Sequence, residues 1–260
     1  MEKLVVDAVQ KGSTDGESAN LIAKVVAKAS AEVTDKMISE VTNNSSGQTS
    51  DLSAKVLKVI VETAPDKIET IDNTVKEKVI EQAIFTASND TTQNIDFGEV
   101  ISEIIVKTDA DTAAKVMEKI SNSNDKSGLA LKVISSVSEK DNKKLEDVIK
   151  KDRKIVDKLI EKSIKDSKGT DAEIKLISKV ISNSNNNKIT EKILVEASKK
   201  IVKGNSLVAK VAEETIKENN DLIESLVTTI STNAELNENL TANDDPLIAE
   251  NFQTVFDKNV

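Results

Sequence analysis

The sequence predicts an all-α protein, and three observations lead to this prediction. Apolar residues recur at helical spacing along most of the chain, for example in the run Leu207, Val208, Val211, Ala212 and Ile216. No segment keeps a period-two alternation of apolar and polar residues between hairpin turns. Polar loops rich in Asn, Ser and Gly cut the helical pattern into roughly a dozen short helices.

One compositional feature argues against helices, but its effect is smaller. The chain has 27 Ile and 27 Val against only 16 Leu, and β-branched residues favour strands. A β-branched residue costs only a few tenths of a kcal/mol in a helix, so the spacing of the apolar residues decides the fold class.

Loops and capping residues set the predicted helix boundaries. Loops are expected at residues 12–18, 42–50, 88–96, 121–125, 167–170, 182–187, 204–205 and 219–220. Residues that can cap a helix are expected to begin six of the helices, and these are Asp51, Asp109, Asp152, Asp171, Ser206 and Asp221. Helices this short are marginal alone, so we expect them to pack side by side.

Three further apolar stripes have the spacing of a buried helix face. They are Ile155, Val156, Leu159, Ile160 and Ile164; Ile174, Ile177, Val180 and Ile181; and Leu222, Ile223, Leu226, Val227 and Ile230. Each stripe is therefore expected to face the core.

Internal repetition indicates a repeated unit. Ala-Lys-Val begins at Ala23 and again 31 residues later at Ala54, and 31 residues is the length of a two-helix hairpin. The segment from Thr108 to Asn124 recurs from Thr170 to Asn185, 62 residues later at its start and 61 at its end. The prediction is an array of short antiparallel helices, that is, α-solenoid-like helical hairpin repeats over residues 1–242. An irregular helical bundle is the alternative, because residues this abundant also produce chance matches.

Absent residue types exclude most chemistry. The chain has no Cys, His, Trp or Tyr, and only one Arg. This excludes thiolate and imidazole nucleophiles, zinc–thiolate sites and arginine clusters. Glu213, Glu214 and Glu218 cluster on one helix, but such a set is usually a solvated face. We therefore expect no enzyme activity, no cofactor, no metal site and no small-molecule substrate.

Charge is divided into three blocks. Residues 1–139 carry 15 basic and 23 acidic residues, residues 140–203 carry 18 and 11, and residues 204–260 carry 3 and 11. A basic waist at 140–203 therefore lies between two acidic ends. Its densest part comprises Lys150, Lys151, Arg153 and Lys154. Nucleic acid is not an expected partner, because acidic residues interleave the waist and no aromatic residues accompany it.

The last residues form a separate predicted element, a C-terminal helix at 243–260. Asn243-Asp-Asp-Pro246 is a strong helix start, since Pro is favoured at the first helical position. The apolar stripe that follows comprises Leu247, Ile248, Phe252, Val255 and Phe256. Two interpretations remain open: a helix that caps the chain's own core, or one that docks on a neighbouring subunit.

These features favour a non-enzymatic structural or scaffold protein. We expect it to self-associate into an oligomer or filament through complementary charged and apolar helical surfaces. The alternative is a monomeric α-solenoid module for protein–protein interaction. The expected partner is another copy or another protein. No apolar run is long enough to insert in a membrane, and no signal peptide is evident, so the default location is the cytoplasm. If the chain is a fragment of a longer protein, the sequence does not define the location.

Overall fold

The fold is all-α, as the sequence predicts. A computed structural model describes residues 16–44, 51–89, 97–124, 128–184, 186–202 and 205–242. Nearly all of these residues are helical. Within the part of the chain so described, no helix combines the length and the apolar character needed to cross a lipid bilayer.

The chain divides into two compact units, the first ending at Leu129 and the second beginning at Ala130. The helices of the first unit are α1 (Gly16–Lys28), α2 (Ala31–Asn44), α3 (Asp51–Thr63), α4 (Lys67–Thr70), α5 (Asn73–Asn89), α6 (Phe97–Val106) and α7 (Ala110–Asn122). Leu129 itself begins α8 (Leu129–Lys140), whose other residues belong to the second unit.

The second unit continues with α9 (Asn142–Asp166), α10 (Asp171–Asn183), α11 (Asn187–Ser198), α12 (Leu207–Glu218), α13 (Ile223–Thr232) and α14 (Ala234–Ala242). A 3-10 turn at Asn220–Leu222 precedes α13. Between α11 and α12 lies a two-residue antiparallel ladder, in which β1 (Ile201–Val202) pairs with β2 (Asn205–Ser206). The sequence predicts only a loop there, because two residues are too few to show a period.

Two of the predicted helix caps are confirmed in full. The Asp109 carboxylate accepts a hydrogen bond from the Thr112 N–H at 2.8 Å, at the start of α7. The Asp152 carboxylate accepts from the Lys154 N–H at 2.9 Å, where α9 kinks with φ −150° and ψ 99° at Asp152. The 25-residue α9 is therefore two short helices joined without a loop.

Of the other four predicted caps, three differ from the structure and the fourth, Asp51, is not tested by it. Ser206 precedes α12 as expected, but its hydroxyl makes no capping bond and is buried without a partner. Asn219, and not Asp221, caps the 3-10 turn by accepting from the Asp221 N–H at 3.1 Å. Helix α3 begins at Asp51, whose side chain lies outside the description. The cap of α10 is Thr170 and not Asp171.

The one-residue slip in the internal echo explains why the cap moves to Thr170. Helices α7 and α10 each have 13 residues, and they begin 61 positions apart, at Ala110 and Asp171. The Thr-Asp-Ala motif, however, recurs 62 positions apart. The residue equivalent to Asp109 is therefore Thr170. Both helices end alike, because the N–H groups of Ser123 and Ser184 donate to the carbonyls of Ile120 and Ile181 at 3.1 Å.

Within each unit, many of the helix contacts join helices two or three positions apart in the chain. In the first unit, α1 contacts α3, α3 contacts α5 and α6, and α5 contacts α7. In the second, α9 contacts α11, α10 contacts α12, and α11 contacts α14. The 31-residue spacing of Ala-Lys-Val does relate two helices in contact, α1 and α3. Elsewhere, side-chain hydrogen bonds between helices join residues 33 to 42 positions apart. The hairpin-repeat array stays a prediction.

The core is aliphatic. Three of the four predicted stripes face it almost completely, since every stripe residue of α10 and α12 is buried and only Ile155 of the α9 stripe is half-buried. The stripe of α13 differs, because Leu226 is its only buried member. This stripe is therefore covered less completely than the other three.

Candidate interaction surfaces

The kink in α9 displays the basic segment that the sequence singles out. Lys150, Lys151, Arg153 and Lys154 are all exposed and lie on either side of Asp152. Because Asp152 departs from helical geometry, its carboxylate can cap the second half of α9. The local sequence thus places four cations on one short exposed turn.

Neighbouring carboxylates neutralise part of this segment. Lys150 pairs with Asp147 at 3.2 Å, and Arg153 pairs with Asp157 at 3.2 Å. All four of these side chains are substantially exposed, and exposed ion pairs contribute little free energy. A competing carboxylate from another molecule could therefore replace either partner at small cost.

Other cations of the basic waist are turned inward. The Lys200 ammonium donates to the carbonyls of Ile164 at 3.0 Å and Lys165 at 2.8 Å, and also to that of Ser167. It thereby caps the C-terminal end of α9, where unpaired carbonyls carry partial negative charge. Burial lowers the pKa of Lys200, with Glu173 and Asp166 opposing the shift. The waist is therefore basic in composition, but its cations are not all available at the surface.

The opposite charge is concentrated at the end of the described chain. Residues 219–242 contain Asp221, Glu224, Glu235 and Glu238 and no Lys or Arg. All four acids are exposed. Glu235 pairs with Lys199 at 3.0 Å. Although burial acts to lower the pKa of Lys199, hydrogen bonds to Glu235 and Glu196 outweigh it and raise that pKa.

The same end carries an incompletely covered apolar face, which we call the α13 face and define as Ile223, Val227 and Ile230. These three side chains are half-buried, whereas Leu226, one step around the helix, is 1% exposed. The described residues therefore cover only one edge of the apolar stripe.

Part of the predicted interaction set cannot be located. Leu247, Ile248, Phe252, Val255 and Phe256 lie outside the described residues, so the structure places only the four basic candidates of α9.

Two members of the acidic trio on α12, Glu213 and Glu214, form ion pairs with Lys217. Lys217 lies 2.7 Å from Glu213 and 3.9 Å from Glu214. Among the described residues, no group of three or more Asp or Glu side chains is placed to hold a metal ion. A small cavity in the second unit is lined by Leu131, Ile134, Ile160, Ser163, Ile164, Ile177, Val180 and Ile193. Its lining offers one hydroxyl, which donates to the Leu159 carbonyl.

Sequence reasoning missed one buried cation in the first unit. Lys76 is 4% exposed, and its ammonium donates to the Asn73 side-chain oxygen at 3.3 Å. Burial lowers the pKa of Lys76, while Asp109 and Asp72 oppose this shift most strongly. The sequence did contain one indication that Lys76 is buried. Lys76 precedes the buried Val79, Ile80 and Ala83 by three, four and seven residues, which places it on the same helix face.

Comparisons with known proteins add little. No family model matches the chain, and no curated protein matches it. One solved structure that the chain resembles is described as "Computational Design of Self-Assembling Cyclic Protein Homooligomers". The two share 17% sequence identity over 100% of this chain and 96% of that chain, with a TM-score of 0.16. A TM-score this low carries no argument, so any function has to rest on this chain's own residues.

Proposed function

We propose that the protein is a non-enzymatic structural subunit that self-associates into an oligomer or filament. The basic segment of α9 on one copy meets the acidic end at residues 219–242 of another. The observation that carries this proposal is the exposure of four cations in one place and four acids in another, of which Glu235 also pairs with Lys199. Opposite surface charges of this kind set the orientation and the rate of association.

The geometry favours a head-to-tail contact over a symmetric one. Two acidic ends would repel each other, and so would two basic segments, at separations below the Debye length of about 10 Å. A contact between unlike surfaces leaves the acidic end free on one copy and the basic segment free on the other. Such an interface continues into a ring or a filament.

Salt provides the first test. In 25 mM salt, light scattering should give a mass above the 28.1 kDa of one chain, and in 500 mM salt the mass should fall to that value. A protein that stays at 28.1 kDa at every salt concentration would contradict the proposal and leave the monomeric interaction module as the function to test.

Charge reversal tests which surface is used. Lys150→Glu with Lys154→Glu should give a monomer in 25 mM salt. The matched control is Lys24→Glu with Lys28→Glu, which changes net charge equally at two exposed lysines of α1 and should still assemble. Loss of assembly in both variants would show a general effect of net charge and would contradict the specific contact.

Mixing provides the complementary test. Glu224→Lys with Glu238→Lys reverses two exposed acids at the other surface and should also give a monomer. An equimolar mixture of the two reversed proteins should form heterodimers, because each keeps one unmodified surface. The modified surfaces no longer attract their former partners, since the charge of residues 219–242, for example, falls from −4 to zero. A mixture that stays monomeric is expected only if these two surfaces do not meet.

A further inference from the structure

The α13 face is wider than the surface that packs on it. On a helical wheel drawn at 100° per residue, the apolar stripe of α13 spans about a quarter of the circumference. From one edge to the other, its residues are Leu226, Ile230, Ile223 and Val227. Only Leu226, at one edge, is buried, and the other three are half-buried. By contrast, all five stripe residues of α12 are buried. Three large aliphatic side chains therefore remain partly exposed side by side.

Charge restricts what can cover this face. Residues 219–242, which include this face, contain four exposed acids, Asp221, Glu224, Glu235 and Glu238, and no Lys or Arg. The same surface of a second copy would bring these four acids against four more. A segment that packs on this face should therefore be an amphipathic helix whose acidic side chains point away from α13.

Residues 247–256 have this chemistry. On a helical wheel, Leu247, Ile248, Phe252, Val255 and Phe256 occupy one half of the circumference. Glu250 and Asp257 fall on the opposite half. A helix of ten residues is about 15 Å long, and α13 also has ten residues.

The segment begins close enough to reach α13. Helix α14 contacts α13, has nine residues and is therefore about 14 Å long. Residues 243–246 can span a further 14 Å or so when extended. A short tether of this kind gives an effective concentration on the order of millimolar, which favours the chain's own segment over a free partner.

We propose that residues 247–256 pack as an amphipathic helix on the α13 face of the same chain. Phe252 and Val255 lie against Ile223, Val227 and Ile230, and Glu250 and Asp257 face solvent. The segment thereby completes the apolar packing of the second unit. This contact does not depend on the charged self-association, so it persists in 500 mM salt.

Fluorescence tests the contact in the full-length chain. The chain has no Trp or Tyr, so Phe252→Trp introduces its only indole. In 500 mM salt the emission maximum of this Trp should lie at a shorter wavelength than its maximum in 8 M urea. Adding Val227→Asp, which puts a charge in the α13 face, should shift the emission to the red. The matched control Thr228→Asp, at an exposed position of α13, should leave it unchanged. An emission maximum that stays at the same wavelength when Val227→Asp is added would overturn the proposal.

Cross-linking distinguishes the chain's own helix from that of a neighbour and does not require a destabilising charge. The protein has no Cys, so Val227→Cys with Phe252→Cys creates the only possible disulfide. Oxidation in 500 mM salt should give a monomer of increased gel mobility, and Thr228→Cys with Phe252→Cys should not. A disulfide-linked dimer would overturn the proposal in favour of docking on a second copy, and the absence of any cross-link would overturn it outright.

Discussion

At the scale of single residues, two glycines with positive φ differ in how strictly the structure requires glycine. Gly169, between α9 and α10, has φ +66°, a conformation that L side chains rarely adopt. The side chain of Val202 from the short ladder lies against it, so that an added Cβ would be 2.6 Å from a Val202 methyl carbon. Glycine is required here for two independent reasons, backbone conformation and close approach.

Gly128 separates these two reasons. It also has a positive φ, +81°, but an added Cβ would meet nothing within 4 Å. Gly128→Ala should therefore lower the free energy of unfolding only by the conformational cost, about 1 kcal/mol. Gly169→Ala should cost about 1 to 3 kcal/mol more, because Val202 has to move within a packed region. Urea unfolding followed by circular dichroism measures both, and equal losses would contradict the steric role of Val202.

At the scale of an element, the start of α10 shows how local bonds position a helix. Thr170 and Glu173 form a capping box, in which the Glu173 N–H donates to the Thr170 hydroxyl at 3.3 Å and the Glu173 carboxylate accepts from the Thr170 N–H at 2.9 Å. The same carboxylate also accepts from the Lys168 N–H at 3.0 Å. Asp171 lies just inside the helix and forms no part of this box.

The cap assignment predicts unequal effects at adjacent positions. Thr170→Ala should lower the free energy of unfolding by about 1 kcal/mol, because the capping bond is lost. Asp171→Ala should cost about 0.5 kcal/mol, since it removes only a favourable charge near the helix N-terminus. Parallel urea titrations of the two variants compare them, and a larger loss for Asp171→Ala would restore Asp171 as the cap.

The capping box also predicts a pH dependence. Burial acts to raise the pKa of Glu173, but hydrogen bonds from the backbone of Thr170 and Lys168 outweigh it and leave the pKa below its usual value. A carboxylate with a lowered pKa stabilises the fold above its unfolded pKa, about 4.3, and loses this effect as pH falls through the folded pKa.

Glu173→Gln should therefore destabilise the protein by about 1 kcal/mol at pH 7, where the charged hydrogen bonds are present. The difference in stability between wild type and Glu173→Gln should become smaller as pH falls below about 4, because the wild-type carboxylate is then protonated. Thermal unfolding at pH 7 and pH 3 in 500 mM salt tests this, and Asp171→Asn is the control for a change in net charge. A stability difference that is larger at pH 3 than at pH 7 would contradict the lowered pKa of Glu173.

At the scale of the whole molecule, folding and assembly rest on different forces. Most of the buried residues are aliphatic, most of the buried polar ones are Ser or Thr, and the ion pairs of the described residues lie mainly at the surface. The proposed assembly, in contrast, depends on charges displayed by the α9 kink and by residues 219–242. Salt should therefore separate the two processes.

We expect the free energy of unfolding to change by less than about 1 kcal/mol between 50 mM and 1 M salt, because exposed ion pairs contribute little and salt does not weaken apolar burial. Urea unfolding at a protein concentration low enough to keep the chain monomeric measures this. A loss of several kcal/mol in 1 M salt would mean that ion pairs hold the fold, and the salt test of assembly would then be ambiguous.

Much of the secondary structure follows from the sequence because it depends on local spacing. The apolar period predicts the helices, and the polar loops predict most of their ends to within a few residues. The short ladder near Val202 could not be anticipated, because it is only two residues long. The cap at Thr170 was missed because two adjacent residues could each cap the helix, and only the backbone selects one.

The sequence by itself determined the helical class, the aliphatic core positions and the separation of charge, since these depend on residue type and period. The tertiary structure decided which members of each pattern face solvent. It turned Lys200 inward to cap α9, left Lys150 and Lys154 exposed, and covered the stripe of α12 but only one edge of that of α13. The physical reason is that a period defines a helix face, whereas burial of that face depends on which distant segment packs against it.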